Sequence, residues 1–312
     1  MLALFLLFFA VPFSFGWGKD GHRIINCVAV QTLPTSMPAF LRTPRALDEI
    51  VYLGPEADRW RSAAEPELSA AQAPDHFIDL ELADMVAPHG LPDRRFEFFR
   101  DLAAARRHDP EIAYRLTPER VGLLPWQADE VFERLRDDMR DYRAIVAAHK
   151  DPYGVEQAIL YDVGWLGHYA GDGSQPLHTT IDYDGWVERS DPEGFTRRRG
   201  IHSLFETEFV HDNIRASEVR PLVPVAPRIL KHPFRDFVAY LRTTHSYVPE
   251  VYRLYKQGAF FGHGSAQSRA FTSARLAAGA AMLRDMIYTA WVQSAEPVPE
   301  WHDRTPGTAD PF

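Results

Sequence analysis

The stretch HYAGDGSQPLH, positions 168–178, limits what this chain can fold into more than any other segment. It closes YGVEQAILYDVGWLGHYAGD, whose apolar residues recur at helical spacing. His168 and Asp172 therefore fall one turn apart on a single helix face. Pro176 turns Gln175 away from helical dihedrals, so the helix ends before QPLH and His178 lies on the exit turn. Gly164, Gly167 and Gly171 each cost helix propensity, and their presence predicts close approach of neighbouring backbone or of ligands. Further on, HSLFE repeats the same spacing with His202 and Glu206. Pairs of this kind on inward faces are how a helical bundle builds a metal site in its core.

Around that segment the sequence reads as all-α. DGHRIINCVAVQTL has the length of a helix with Asp20 available as its N-terminal cap, and further helical patterns cover 92–107, 125–149, 201–214, 235–258 and 265–293. Pro125 suits a first turn. A long loop is expected from Thr179 to Gly200, rich in Asp, Gly, Arg and Pro. Neither alternating strands nor an internal repeat is present, which predicts a single-domain, multi-helix bundle over 17–296, followed by an extended or disordered tail over 297–312. With 46% hydrophobic residues, the 312-residue chain can bury a large core.

The first sixteen residues, MLALFLLFFAVPFSFG, are apolar and uncharged. They fall short of the roughly 20 residues that span a bilayer. Ser14 and Gly16 are small residues where a processing site is expected, so 1–16 reads as a signal peptide cleaved between Gly16 and Trp17, and the mature protein as secreted or periplasmic. The single cysteine, Cys27, excludes an internal disulfide framework and reads as a buried, inert thiol. A net charge of -9 argues against a wholesale electrostatic grip on a polyanion, leaving phosphate recognition to metal ions and a few cations.

Read from residue types alone, the candidate ligands are His22, Asp58, His76, His168, Asp172, His178, His202 and Glu206. Imidazole mixed with carboxylate suits zinc, whereas magnesium and calcium prefer oxygen alone. Ser174 lies between Asp172 and His178 but has no GxSxG elbow around it, which speaks against a serine nucleophile.

Five motifs in order, WGKDGH, EADRWR, DHFIDLE, HYAGDGSQPLH and GIHSLFE, resemble the superfamily of zinc-dependent phospholipases C and single-strand-specific nucleases of the S-one/P-one type. The resemblance implies a trinuclear zinc cleft. It implies one zinc held by Asp58, His76, His168 and Asp172, a second by Trp17 and His22 with Asp172 bridging, and a third by His178, His202 and Glu206. Trp17 would act through a free α-amino group and its carbonyl, which requires removal of the leader. The resemblance further gives Arg61 a role against the phosphate, Asp172 a catalytic role as ligand, and Phe77 and Asp79 contacts with a base. Zinc-bound water ionises near neutral pH, so a hydroxide between two ions is the expected nucleophile.

Two features divide the family's branches. Glu206 stands where bacterial phospholipases C carry Glu and the nucleases usually carry Asp, whereas the WGKDGH spacing and Arg61 resemble the nucleases. The loop 179–201 lacks the Gly-Gly-Asn type of string common in the nucleases, and Arg197, Arg198 and Arg199 cluster within it. The reading that follows is an exported, zinc-dependent phosphodiesterase acting on single-stranded nucleic acid or nucleotides and leaving 5′-phosphates. A phospholipase C acting on phospholipid head groups is the first alternative and a non-catalytic zinc-binding protein the second. No obligate protein partner is evident.

Overall fold

The computed structural model describes residues 17–191 and 193–298. The leader, residues 1–16, and the tail beyond residue 298 lie outside the described residues. Among the described residues ten helices of seven residues or more carry the fold: α1 (Gly18–Gln31), α2 (Pro44–Leu53), α3 (Pro66–Gln72), α4 (Leu80–Val86), α5 (Arg95–His108), α6 (Leu124–Ala147), α7 (Tyr153–Asp172), α8 (Pro233–His245), α9 (Val248–Lys256) and α10 (Ala266–Gln293). Among the described residues there is no β-strand, and two isolated bridges, Ile78 with Gly122 and Tyr183 with Gly185, are the sheet-like pairings. None of the described helices is long and apolar enough to cross a membrane.

α7 is the axis of the molecule. It is packed by α6, α10, α2 and α1. The three glycines lie where α1 and α2 come closest. A Cβ on Gly164 would stand 2.4 Å from the Cβ of Leu53, one on Gly167 would stand 1.9 Å from Asn26 Oδ1, and one on Gly171 would stand 2.9 Å from His22 Nδ1. Asn26 fastens the junction, because its buried side-chain amide donates to the carbonyls of Ile50 at 2.8 Å and Gly164 at 3.1 Å. α1 is thereby held against α7 with His22 facing Asp172.

Several details differ from the sequence reading. Trp17, and not Asp20, takes the N-cap position of α1, and Asp20 lies in the first turn. The 235–258 pattern is broken at Ser246 and Tyr247 into α8 and α9. The segment Ile201–Asn213 contains a π-helical turn, Leu204–Glu208, between two short α-helical pieces. π-turns of this kind are frequent at functional sites. α2, α3 and α4 lie outside the helical patterns of the sequence reading, although α2 carries helix signals, with Pro44 in its first turn, Thr43 accepting from the Ala46 amide, and Ala46, Ile50 and Leu53 buried on one face.

On the other face of α7, Asp162 is buried against α6, where it hydrogen-bonds Asp138. Burial, and then the charge of Asp138, push its carboxyl up to about 7. The folded chain thus holds a proton that the unfolded chain releases near pH 4, so this contribution to stability is complete at low pH and is lost as pH rises through about 7.

Two stability predictions follow from this packing. Gly167→Ala should lower the melting temperature by several degrees, the overpacking cost of about 1–3 kcal/mol exceeding the propensity gain of about 1 kcal/mol. Gly154→Ala, where nothing lies within 4 Å, is the contrast and should not lower it. Asp162→Asn should raise the melting temperature by a few degrees at pH 8 and change it little at pH 4, and an equal effect at both would refute the shared-proton account.

Candidate metal centre

Three groups of buried donors meet at the end of α7. They are His22 with His168 and Asp172, Asp58 with His76 and His168, and His178 with His202 and Glu206, and within each group the donor atoms lie within 4.8 Å of one another. Each residue arrives by a different route. His22 comes from α1, Asp58 from a helical turn Glu56–Arg59 that follows α2, and His76 from a 3-10 turn that leads into the extended HFID segment. α7 supplies His168 and Asp172, the exit turn Pro176–His178 supplies His178, and the π-containing segment supplies His202 and Glu206.

Asp172 is the hub. Its Oδ2 lies 3.2 Å from both His76 Nδ1 and His168 Nε2, and its Oδ1 lies 3.5 Å from His22 Nε2 and 3.6 Å from His178 Nδ1. Two ligands of a tetrahedral zinc at about 2.1 Å are separated by roughly 3.4 Å, so the spacing fits donors aimed at shared ions. The third group is similar, with His202 Nε2 at 2.8 Å and His178 Nε2 at 3.5 Å from Glu206 Oε2.

Ring orientation is fixed from behind. The Nδ1–H of His168 donates to the Gly54 carbonyl at 2.9 Å, that of His178 to His76 at 2.6 Å and that of His202 to Tyr183 at 3.0 Å. A carbonyl only accepts, so each of these rings carries a proton on Nδ1 and turns Nε2 inward. Gln175 donates to Glu206 at 3.0 Å. Both nitrogens of His22, both carboxylate oxygens of Asp58, His76 Nε2 and Asp172 Oδ1 are buried with no hydrogen-bond partner among the described residues. Orphaned polar atoms are costly inside a protein, and so many around one point fit a cation that completes them.

The electrostatics agree with that reading. Burial holds His22 well below the ordinary histidine range and takes His202 down to about 4, so both are neutral ligands at pH 7. Burial opposes ionisation of Asp172 also, yet His168 and His178 outweigh it and hold its carboxyl well below the usual range. Burial lowers His168 as well, but Asp172 and Asp58 prevail and raise it to about 9, whereas burial pushes Glu206 up to about 8.

A cleft of about 400 Å³ opens onto His76, His178 and His202. Arg61 lines it, half-buried, and its positive charge favours the ionised form of Asp58. Phe77 and Asp79 form part of the wall, held by the amide of Ile78 donating to His178 O and that of Leu80 to Thr179 O. Asp79 is buried, and burial followed by the charge of Glu81 raises its carboxyl well above the ordinary value. Sequence reasoning missed Arg115, Arg120, Tyr183 and Val187 on the same cleft. All four lie outside the motifs.

Trp17 is fully buried against Phe205, and its indole donates to Ser174 Oγ at 2.7 Å. Ser174 in turn donates to Gly171 O. That hydroxyl is occupied in holding the head of α1. Cys27, expected in the core, is half-buried, because its side of α1 borders a shallow surface cleft. Of the three clustered arginines, Arg197 braces the loop by donating to Trp186 O and Glu188 O, while Arg198 and Arg199 are exposed.

Loading of the centre should release protons from His168 and Glu206, so zinc affinity should fall at least tenfold from pH 8 to pH 6. Competition against a chelator of known proton affinity measures this, and a flat profile would contradict it. Asp172→Asn should abolish most zinc binding.

No known family profile matches the chain. A curated protein of Bradyrhizobium tropiciagri, described as a probable serine protease, is 25% identical over 202 residues, a match covering 54% of this chain and 23% of the relative. The chain thus spans about a quarter of that relative's length. Among solved structures, the alpha-toxin of an avian strain of Clostridium perfringens aligns with 90% of this chain and 65% of its own, at 13% identity and a TM-score of 0.34.

Proposed function

We propose that this chain is an exported, zinc-dependent phosphoester hydrolase that cleaves phospholipid head groups in the manner of a phospholipase C. The observation that carries the hydrolase reading is the convergence of three buried histidine and carboxylate groups next to a cleft that reaches His76, His178 and His202. A structural zinc site is closed, whereas a catalytic one keeps access for water and substrate, and this access argues against the non-catalytic alternative.

Zinc bound by these residues would lower the pKa of water to about 7 and neutralise phosphoryl oxygens. The chain's own residues would do the rest. Asp172 would keep the donor groups in register. Arg61, at the edge of the centre, would offer a planar pair of donors to a phosphoryl oxygen. Asp79 would offer its carboxyl as a hydrogen-bonding group to the substrate, and the face of Phe77 would exclude water beside it.

The wall of the cleft favours the lipid substrate over the nucleic acid expected from the sequence. Leu82, Leu177, Ile181 and Val187 line it together with Phe77 and Tyr183. Tyr183 and Val187 are 47% and 58% exposed, an apolar approach of the kind an acyl glycerol requires. Glu206 adds to the same reading through the branch it resembles. A single-strand nuclease is the second reading, supported by Phe77 and Asp79 facing the cleft beside Arg61.

The test uses zinc-loaded protein beginning at Trp17, offered phosphatidylcholine and phosphatidylglycerol vesicles, single-stranded DNA and RNA, with and without chelator. Chelator-sensitive release of diacylglycerol is expected. Release of 5′-nucleotides alone would give the function to the second reading, and inactivity on all with zinc bound would refute both. Arg61→Ala should lower turnover by roughly a hundredfold at unchanged zinc content.

A further inference from the structure

A second cleft, of about 520 Å³, reaches the metal centre by way of Asp58 and Trp17. It shares Arg61 with the first cleft and is otherwise lined by different residues. Both clefts carry cations, Arg115 and Arg120 beside Arg61 in the first, but only the second gathers them at the start of α1. Lys19, Arg23 and Arg59 join Arg61 on its walls. Of the carboxylates there, Asp58 belongs to the metal centre, and Asp20 is engaged by His211 at 2.6 Å and by Arg23 at 3.9 Å. Glu56 and the face of Tyr52 hold Arg59 from outside the cleft. Lys19 is exposed and has no ion pair among the described residues. α1 begins in the same cleft, and amides of a first helical turn have no partner within their helix and favour negative charge.

A phosphodiester has two ester arms. With its phosphorus beside Arg61, one arm enters the apolar cleft and the other meets these cations. We propose that the second cleft is a subsite for a further anionic group, a phosphate or equivalent, borne by the arm that leads away from the apolar wall. The inference rests on the phosphoester reading above and adds selectivity to it. A substrate with a second negative charge next to the scissile phosphodiester is preferred over a zwitterionic one such as a choline ester. A quaternary ammonium calls for an aromatic or acidic box, and this cleft presents the opposite charge.

The anionic group has two possible sources, a phosphorylated lipid head group and a neighbouring nucleotide phosphate. Calorimetric titration of zinc-loaded protein with myo-inositol 1,4-bisphosphate, with thymidine 3′,5′-bisphosphate and with phosphocholine separates them. At least one bisphosphate is expected to bind about tenfold or more tightly than phosphocholine, the gain of one charge-assisted contact. The bisphosphate that binds better identifies the source. In Lys19→Gln/Arg23→Gln protein the preference should disappear while phosphocholine affinity, zinc content and melting temperature stay as they were. If the double variant fails to fold, the exposed Lys19→Gln alone should reduce the preference at least threefold. Equal binding of all three ligands by the unaltered protein, or a preference untouched by the substitutions, overturns the proposal. A protein that hydrolyses no phosphodiester yet keeps a bisphosphate preference sensitive to Lys19 would overturn the phosphoester reading and leave the anion subsite standing.

Discussion

Everything in this molecule is arranged around one buried carboxylate. Asp172 has no solvent contact, and burial opposes its ionisation. His168 and His178, with hydrogen bonds from His168 and His76, outweigh that penalty, while His22 closes the ring of imidazoles at 3.5 Å. Losing these partners together would leave a bare charge in the interior, a cost of several kcal/mol. The same demand explains the glycine face of α7, since only hydrogen at positions 167 and 171 lets α1 come near enough for His22 to reach the group.

The centre was legible in the sequence to an unusual degree because its spacing is covalent. His168 and Asp172, like His202 and Glu206, must share a face if their segments are helical, and Pro176 fixes where the helix stops. What spacing cannot carry is assignment among partners. The resemblance places His22 with Trp17 and a bridging Asp172, and the folded chain adds His168 beside His22, its ring stacked on it at 4.0 Å. The cleft walls were not legible either. Arg115 and Arg120 come from a short helical turn and its approach, with no periodicity to mark them, and Val187 comes from a loop.

That loop is long but not slack. Asp182 accepts from the amides of Val187 and Glu188, Asp184 from those of Gly200 and His202, and Tyr252 both donates to Asp182 O and accepts from Gly185. Trp186, Phe195 and Tyr252 stack into a small aromatic core beneath it. A wall fixed in this way holds Tyr183 and Val187 in place, so a molecule entering the cleft would meet them without an ordering cost. The amide of His202 belongs to the same network, which joins the cleft wall to the third donor group.

The three imidazoles turned inward by backbone carbonyls carry a consequence of another kind. Gly54, His76 and Tyr183 offer their main-chain oxygens to His168, His178 and His202, and no side-chain replacement deletes a main-chain oxygen. The aim of these ligands is inherited through the path of the chain, so substitutions at the supporting positions can drift while the orientation persists, and a comparison of side chains alone would overlook half of what aligns the centre.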